Sequence, residues 1–231
     1  MQRVSLAAFA AVSIVSLSAD AHISISSGPA FANKSGQKIT VGVSHGCNDT
    51  DTVKIKVTIP SSITSVRALY SDFGRPSVER DGSDSNPATN IRSITWTKTD
   101  TALEGDFGFY EITFRAKVAD VPFSQIQLNV QQTCEDGTVE EWDQPATSTT
   151  GNPAPLLKVV PSRLPGWNKV TLTTGVSVDD LPVYFNDALI VWKGNAAFST
   201  NANTRAMILA TPGVTELATA LAAGDEIWVK Y

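Results

Sequence analysis

Positive charge is thin in this chain and nowhere clustered: 18 Lys and Arg stand against 23 Asp and Glu, a formal net charge of −5. A nucleic-acid footprint needs concentrated positive charge, so DNA and RNA are discounted as partners. Histidine is scarcer still. With only His22 and His45, a Ser-His-Asp or Cys-His catalytic set has few ways to form. Glycine-rich phosphate loops are absent, and Asn48-Asp49-Thr50-Asp51 lacks the full spacing of a calcium loop. The chain is therefore expected not to be an enzyme. Apolar runs long enough for a membrane helix are missing as well.

The one sustained apolar run, Val4 to Leu17, follows Met1-Gln2-Arg3 and precedes the small-x-small triplet Ala19-Asp20-Ala21. A charged start, an uncharged apolar stretch and small residues at a cleavage point, in that order, predict a signal peptide over residues 1–21, cut after Ala21. The competing reading is an uncleaved anchor or a buried N-terminal helix. No cysteine stands at the cleavage point for lipid attachment. The mature chain is expected to be soluble outside the cytoplasm, with no membrane insertion after cleavage. Cysteine use agrees: Cys47 and Cys134 are the only two, and an oxidising compartment favours their pairing over a thiolate metal site. Closing a loop of nearly ninety residues stabilises a fold by on the order of 4 kcal/mol in the chain-entropy picture.

The 231 residues suffice for one large domain or two modest ones. Alternation with period two dominates. Ile39, Val41 and Val43 form one apolar row, Val53, Ile55, Val57 and Ile59 another, and Tyr110, Ile112, Phe114, Ala116 and Val118 a third. Ile126, Leu128 and Val130 follow, with Cys134 on the same parity, while Cys47 shares parity with Val41 and Val43. Such alternation marks strands with one buried and one solvated face. Turn formers separate them: Gly46 with Asn48-Asp49, Gly74-Arg75-Pro76, Asp81-Gly82 through Asn86-Pro87, and Asp136-Gly137. The pattern predicts an all-β, immunoglobulin-like antiparallel β-sandwich over residues 22–155. Prolines 145, 153, 155, 161 and 165 then interrupt a Thr/Ser/Asn/Gly-rich stretch. Residues 156–166 are expected to be a linker, although Leu156, Leu157, Val159 and Val160 could pack as an edge strand. A smaller, mostly β module is expected over residues 167–231, with strands at Lys169–Thr174, Ala188–Lys193, Ala206–Thr211 and Glu226–Tyr231. Leu217 and Leu221, four apart in an alanine-rich stretch, predict a short helix over Thr215–Ala223.

Cleavage after Ala21 would make His22 the first residue, giving it two nitrogen donors, the free α-amine and the imidazole Nδ1. These close a chelate ring on one metal, and an α-amine is a weak enough base to yield its proton to a metal at modest cost near neutral pH. Two nitrogens and an oxygen in tetragonal geometry favour copper(II) among divalent first-row ions. The plain alternative is a terminal histidine that binds nothing. Glu111, flanked by Phe107, Phe109 and Tyr110, is the best local candidate for the oxygen; its alternative is an ordinary solvated residue on an outward strand face. His45 is either a further ligand or, more in keeping with its place beside Cys47, a structural neutral histidine. Trp96, Trp167, Trp192 and Trp228 are expected to be packing residues.

Three stretches resemble the YcnI-like copper-binding domain family: Ala21-His22-Ile23-Ser24, the strand Phe109-Tyr110-Glu111-Ile112-Thr113-Phe114-Arg115-Ala116-Lys117, and Gln132-Thr133-Cys134-Glu135-Asp136-Gly137-Thr138-Val139-Glu140-Glu141-Trp142. Pro153-Ala154-Pro155 resembles the end of that domain, and His45-Gly46-Cys47 a variant of its Gram-negative members with a second Cys at Cys134. The resemblance covers roughly His22 to Pro155. It implies a β-sandwich holding copper(II) through a single-histidine brace, with His22 giving amine and imidazole, Glu111 the carboxylate and Trp142 a nearby aromatic wall. Trp142 shares parity with Glu140 rather than Val139, which points to the less buried face. Copper trafficking or homeostasis in the periplasm, beside a copper chaperone or membrane copper importer, is the implied role. The family commonly has a Glu-containing approach to the Glu111 strand, where Asp106 and Phe107-Gly108 stand here. Two other functions are weighed: a copper-dependent histidine-brace oxidoreductase, which needs His45 near His22, and a metal-free adhesive or structural sandwich, which predicts an exposed aromatic patch. The module after Arg163 lies outside the resemblance.

Overall fold

The computed structural model describes residues 22–47, 49–81, 91–100 and 107–231. The expected signal peptide, Asn48, Asp106 and the turn residues Gly82 to Asn86-Pro87 lie outside the described residues. In chain order the strands are β1 Ser24–Ile25, β2 Ala30–Phe31, β3 Gln37–Val43, β4 Thr52–Thr58, β5 Ile63–Ala68, β6 Gly74–Arg80, β7 Ile91–Lys98, β8 Tyr110–Val118 and β9 Gln125–Gln127. There follow β10 Val130–Cys134, β11 Val139–Gln144, β12 Asn152–Pro153, β13 Leu156–Val160, β14 Trp167–Thr171, helix α1 Leu181–Tyr184, β15 Ile190–Lys193, β16 Ala196–Phe198, helix α2 Ala202–Ala210, β17 Thr215–Glu216 and β18 Glu226–Lys230.

Two sheets face each other. One has the order β1-β3-β8-β5, the other β12-β11-β10-β4-β7-β6. The alternating rows read from the sequence do what alternation requires: Ile39, Val41, Val43, Ile112 and Phe114 from the first sheet meet Ile55, Val57, Ile94, Trp96 and Val130 from the second in one buried core. Gly74-Arg75-Pro76, read as a turn, instead opens β6. That strand is the sheet's edge, where a proline's missing N–H costs no ladder bond. The run Ile126-Leu128-Val130 is two strands rather than one. β9 joins a three-stranded sheet, order β2-β13-β9, and β10 joins the six-stranded one, with the switch at Leu128 and Asn129.

The stretch expected as a linker begins with β13, central in its sheet: parallel to β2 through Val159↔Ala30 and antiparallel to β9 through Leu157↔Ile126. Leu157, Val159 and Val160 are fully buried. Beyond it the module has a five-stranded sheet, order β14-β18-β15-β16-β17, and its own core. Two local expectations there are corrected. The expected strand Ala206–Thr211 is instead helical as far as Ala210, within α2, with Thr211 as the C-cap, because the Asn201 side chain accepts from the Asn203 and Thr204 N–H groups and starts the helix there. Thr215–Ala223 is not helical. Thr215–Glu216 pairs in parallel with β16, and Leu221 bridges to Val176, so the two leucines reach the core from extended backbone. No helix among the described residues is long and apolar enough to cross a membrane.

Candidate functional site

His22 stands just before β1, and the Ser44 hydroxyl donates to its carbonyl at 3.4 Å. Register carries the site across the sheet from there. Ser24 faces Gly42 on β3, and Gly42 faces Glu111 on β8. Glu111 is exposed, on the solvent side that its parity predicted. The imidazole of His22, itself exposed, meets the Trp142 ring edge-on, with centroids 6.1 Å apart and planes at 89°. The structure thus joins His22 directly to Trp142 and sets Glu111 two strands from Ser24 in the same cross-strand row.

Trp142 corrects an expectation: it is buried, while Val139 is about half exposed. β11 lies inside the six-stranded sheet and turns its even-numbered Trp142 inward, so hydrophobicity at Val139 misled the parity argument. The indole N–H donates to Gln132 Oε1 at 3.1 Å. Gln132 is itself buried, and its Nε2 donates to the His45 carbonyl and to Thr52 Oγ1, both at 2.7 Å. A buried amide with every partner satisfied is a rigid support. It fixes the ring against which His22 rests.

His45 is engaged locally, its Nδ1 against the carbonyl of Gly46. Cys47 and Cys134 are disulfide-bonded, with Cα atoms 5.8 Å apart and both side chains buried. The bridge closes the His45–Asp51 turn onto β10, so the backbone carbonyl that Gln132 uses is covalently tethered close by.

Sequence reasoning missed Gly42 and the position of Phe109. A Cβ on Gly42 would lie 3.1 Å from Phe109 Cζ and 3.6 Å from Ser24 Oγ. The Phe109 ring therefore lies over Gly42, between Ser24 and Glu111. The available signal was a glycine on the opposite face between Val41 and Val43, which in a strand marks close approach of another group. Gln132 carried a signal too: it is a polar residue at the inward position between Val130 and Cys134 on β10.

Among the described residues no group of three or more His, Cys, Asp or Glu side chains is arranged to hold a metal. A single-histidine brace does not require one. Two of its three donors come from one residue, so only two side chains reach the ion. Amine, imidazole and carboxylate, the groups expected from His22 and Glu111, are donors of the kind copper(II) takes.

A protein-family model described as "Domain of unknown function (DUF1775)" matches residues 22–159. No curated protein matches the chain. Among solved structures, an uncharacterized protein from Nocardia farcinica, described as revealing an immunoglobulin-like fold, is 22% identical with a TM-score of 0.45, over 60% of this chain and 97% of that one. A non-cellulosomal cohesin from Archaeoglobus fulgidus is 10% identical with a TM-score of 0.35, over 60% of this chain and 90% of that one.

Proposed function

The chain belongs to the DUF1775 family through residues 22–159, and from that membership and the geometry around His22 we propose that it is a periplasmic copper(II)-binding protein. His22, freed by cleavage after Ala21, supplies amine and imidazole, and Glu111 supplies an oxygen. On this reading copper is cargo rather than a resident catalyst. The protein is a carrier or buffer in copper trafficking, serving a copper chaperone or a membrane copper importer. His45-Gly46-Cys47 with Cys134 belongs to the Gram-negative form of the family, and His45 stays structural.

The observation that carries the proposal is the perpendicular contact of the His22 ring with Trp142, itself tied down by Gln132. An indole held in that way restricts the imidazole's orientation, and orienting a ligand is the part of metal binding that supporting residues supply. Its test is copper(II) titration followed by electron paramagnetic resonance, on protein beginning at His22 and on a sample with one extra residue before it. One equivalent of tetragonal copper in the first, lost or altered in the second, is the expected result. Equal weak signals from both would end the proposal.

A second reading has its own observation. Trp167 and Trp228 are about half exposed, correcting their expected packing role, and they share one face of the module's sheet, because Trp228 lies opposite Lys169 and Trp167 opposite Lys230. An exposed aromatic patch is what a metal-free adhesive sandwich would present.

A further inference from the structure

Among the described residues, Glu111 sits where β8 is laddered on one side only. The ladder with β5 ends at Ala68↔Phe114, with one further bond from the Leu69 N–H to the Thr113 carbonyl. From Tyr110 to Ile112 the strand is laddered to β3, through Val43↔Tyr110, Gly42↔Glu111 and Val41↔Ile112. A strand end paired on one side frays readily unless something else restrains it.

The neighbouring residue supplies that restraint. The Tyr110 ring turns toward the core and packs on Phe73, with centroids 5.0 Å apart. Its hydroxyl donates to Asp51 Oδ1 at 2.7 Å and accepts from Lys98 Nζ at 2.8 Å. Lys98 also pairs with the other oxygen of Asp51, and its ammonium lies 4.8 Å from the Tyr110 ring centroid. Asp51 directly precedes β4 and Lys98 ends β7, so the hydroxyl ties the Glu111 end of one sheet to two strands of the other. The Asp51 and Lys98 side chains are nearly fully buried. Gly108 completes the seat, for a Cβ there would fall 2.3 Å from the Tyr110 hydroxyl oxygen.

A buried ion pair with all its hydrogen bonds made contributes little net stability but holds its members in one arrangement. We propose that Tyr110, clamped by Asp51 and Lys98, is the positioning residue for Glu111. Glu111 and Tyr110 are adjacent on an extended strand and point to opposite faces, so fixing one side chain to the core fixes the direction of the other. The consequence for copper rests on the function proposed above; the mechanical claim does not.

The test uses Tyr110→Phe, which keeps the ring on Phe73 and removes both hydroxyl bonds. Asp51→Asn is the second variant, should the first not fold. Amide hydrogen exchange is measured on the metal-free full chain. Exchange across residues 109–113 should rise about tenfold or more, with residues 114–118 unchanged as the internal control. Unchanged exchange at 109–113 overturns the proposal whatever copper does. Copper(II) affinity is then measured for wild type, Tyr110→Phe, Glu111→Gln and the double variant. Tyr110→Phe should weaken binding about tenfold, and the loss should vanish in the Glu111→Gln background. An equal loss in both backgrounds, or none in a wild type that binds, overturns the proposal. A wild type that binds no copper ends the functional reading, and the exchange result then decides the role of Tyr110 by itself.

Discussion

At the scale of single residues, Gln132 does the most with the least surface. Its side chain accepts from the Trp142 indole and donates to the His45 carbonyl and Thr52 hydroxyl. Replacing it with leucine keeps the volume and removes the acceptor of the buried Trp142 indole N–H, while the Thr52 hydroxyl still donates to the His45 carbonyl. An unpaired buried group costs about 1–3 kcal/mol, so Gln132→Leu should lower the unfolding free energy by about that amount. Urea denaturation measures the loss. A change under half a kilocalorie per mole would mean that Trp142 is held by packing alone. The same variant should alter the copper spectrum if His22 depends on a fixed indole.

Among the elements, the Cys47↔Thr50 bridge beside Gly46 is closely packed. Gly46 approaches the Thr50 carbonyl so closely that an added Cβ would lie 1.7 Å from its oxygen. The atom in the way is backbone, so the turn itself would have to open and disrupt the Cys47↔Thr50 bridge. Gly46→Ala should therefore destabilise by at least the 1–3 kcal/mol typical of overpacking, read as a lower denaturation midpoint in the oxidised protein. An unchanged midpoint would show that the turn adapts freely. How far elements could be foreseen follows from the same local forces. β3, β4 and β8 carry long strict alternation, and periodicity exposed them and the outward side of Glu111. β6 was hidden because Pro76 signals a turn in isolation and only its edge position permits a strand. β13 was half visible: Leu156, Leu157, Val159 and Val160 read as a possible edge strand inside a linker, and the flanking prolines hid its central place between β2 and β9. The two ends of the site were legible one by one, whereas the register from Ser24 through Gly42 to Glu111 depends on pairing between segments far apart in sequence. Sequence periodicity says nothing about which segments pair.

For the whole molecule, the decisive feature is that the module's own core takes in residues from the sandwich side of the junction. Phe123 and Val160 belong to the module's buried cluster, and the Tyr184 hydroxyl donates to the carbonyls of Phe123 at 3.2 Å and Ser124 at 3.3 Å. Lys158 pairs with Asp180, and the Arg163 guanidinium lies 4.5 Å from the Phe31 ring centroid. Burial, reinforced by the negative charge of Asp180, pushes the Tyr184 phenol from 10.0 up to about 12. A raised folded value means that the stability it brings is complete below pH 10 and disappears as pH climbs through about 12. Ionised, the oxygen would face two carbonyl oxygens with nothing to donate. Absorbance titration at alkaline pH should show a tyrosine ionising near 12, together with loss of module packing, and Tyr184→Phe should remove that step. A normal titration would sever the link between this hydroxyl and the interface.

The placement of β13 also decides how the protein would behave under tension. The chain leaves the sandwich through a strand that runs parallel to β2 and is flanked by β9 on its other side. Pulling the module away from the His22 end draws β2 and β13 along their length in opposite directions. Their hydrogen bonds are then loaded together, in shear, rather than opened one after another like a zip. A tug on the module would reach β2 and, through it, the short stretch from His22 to Ile25 before the junction gives way.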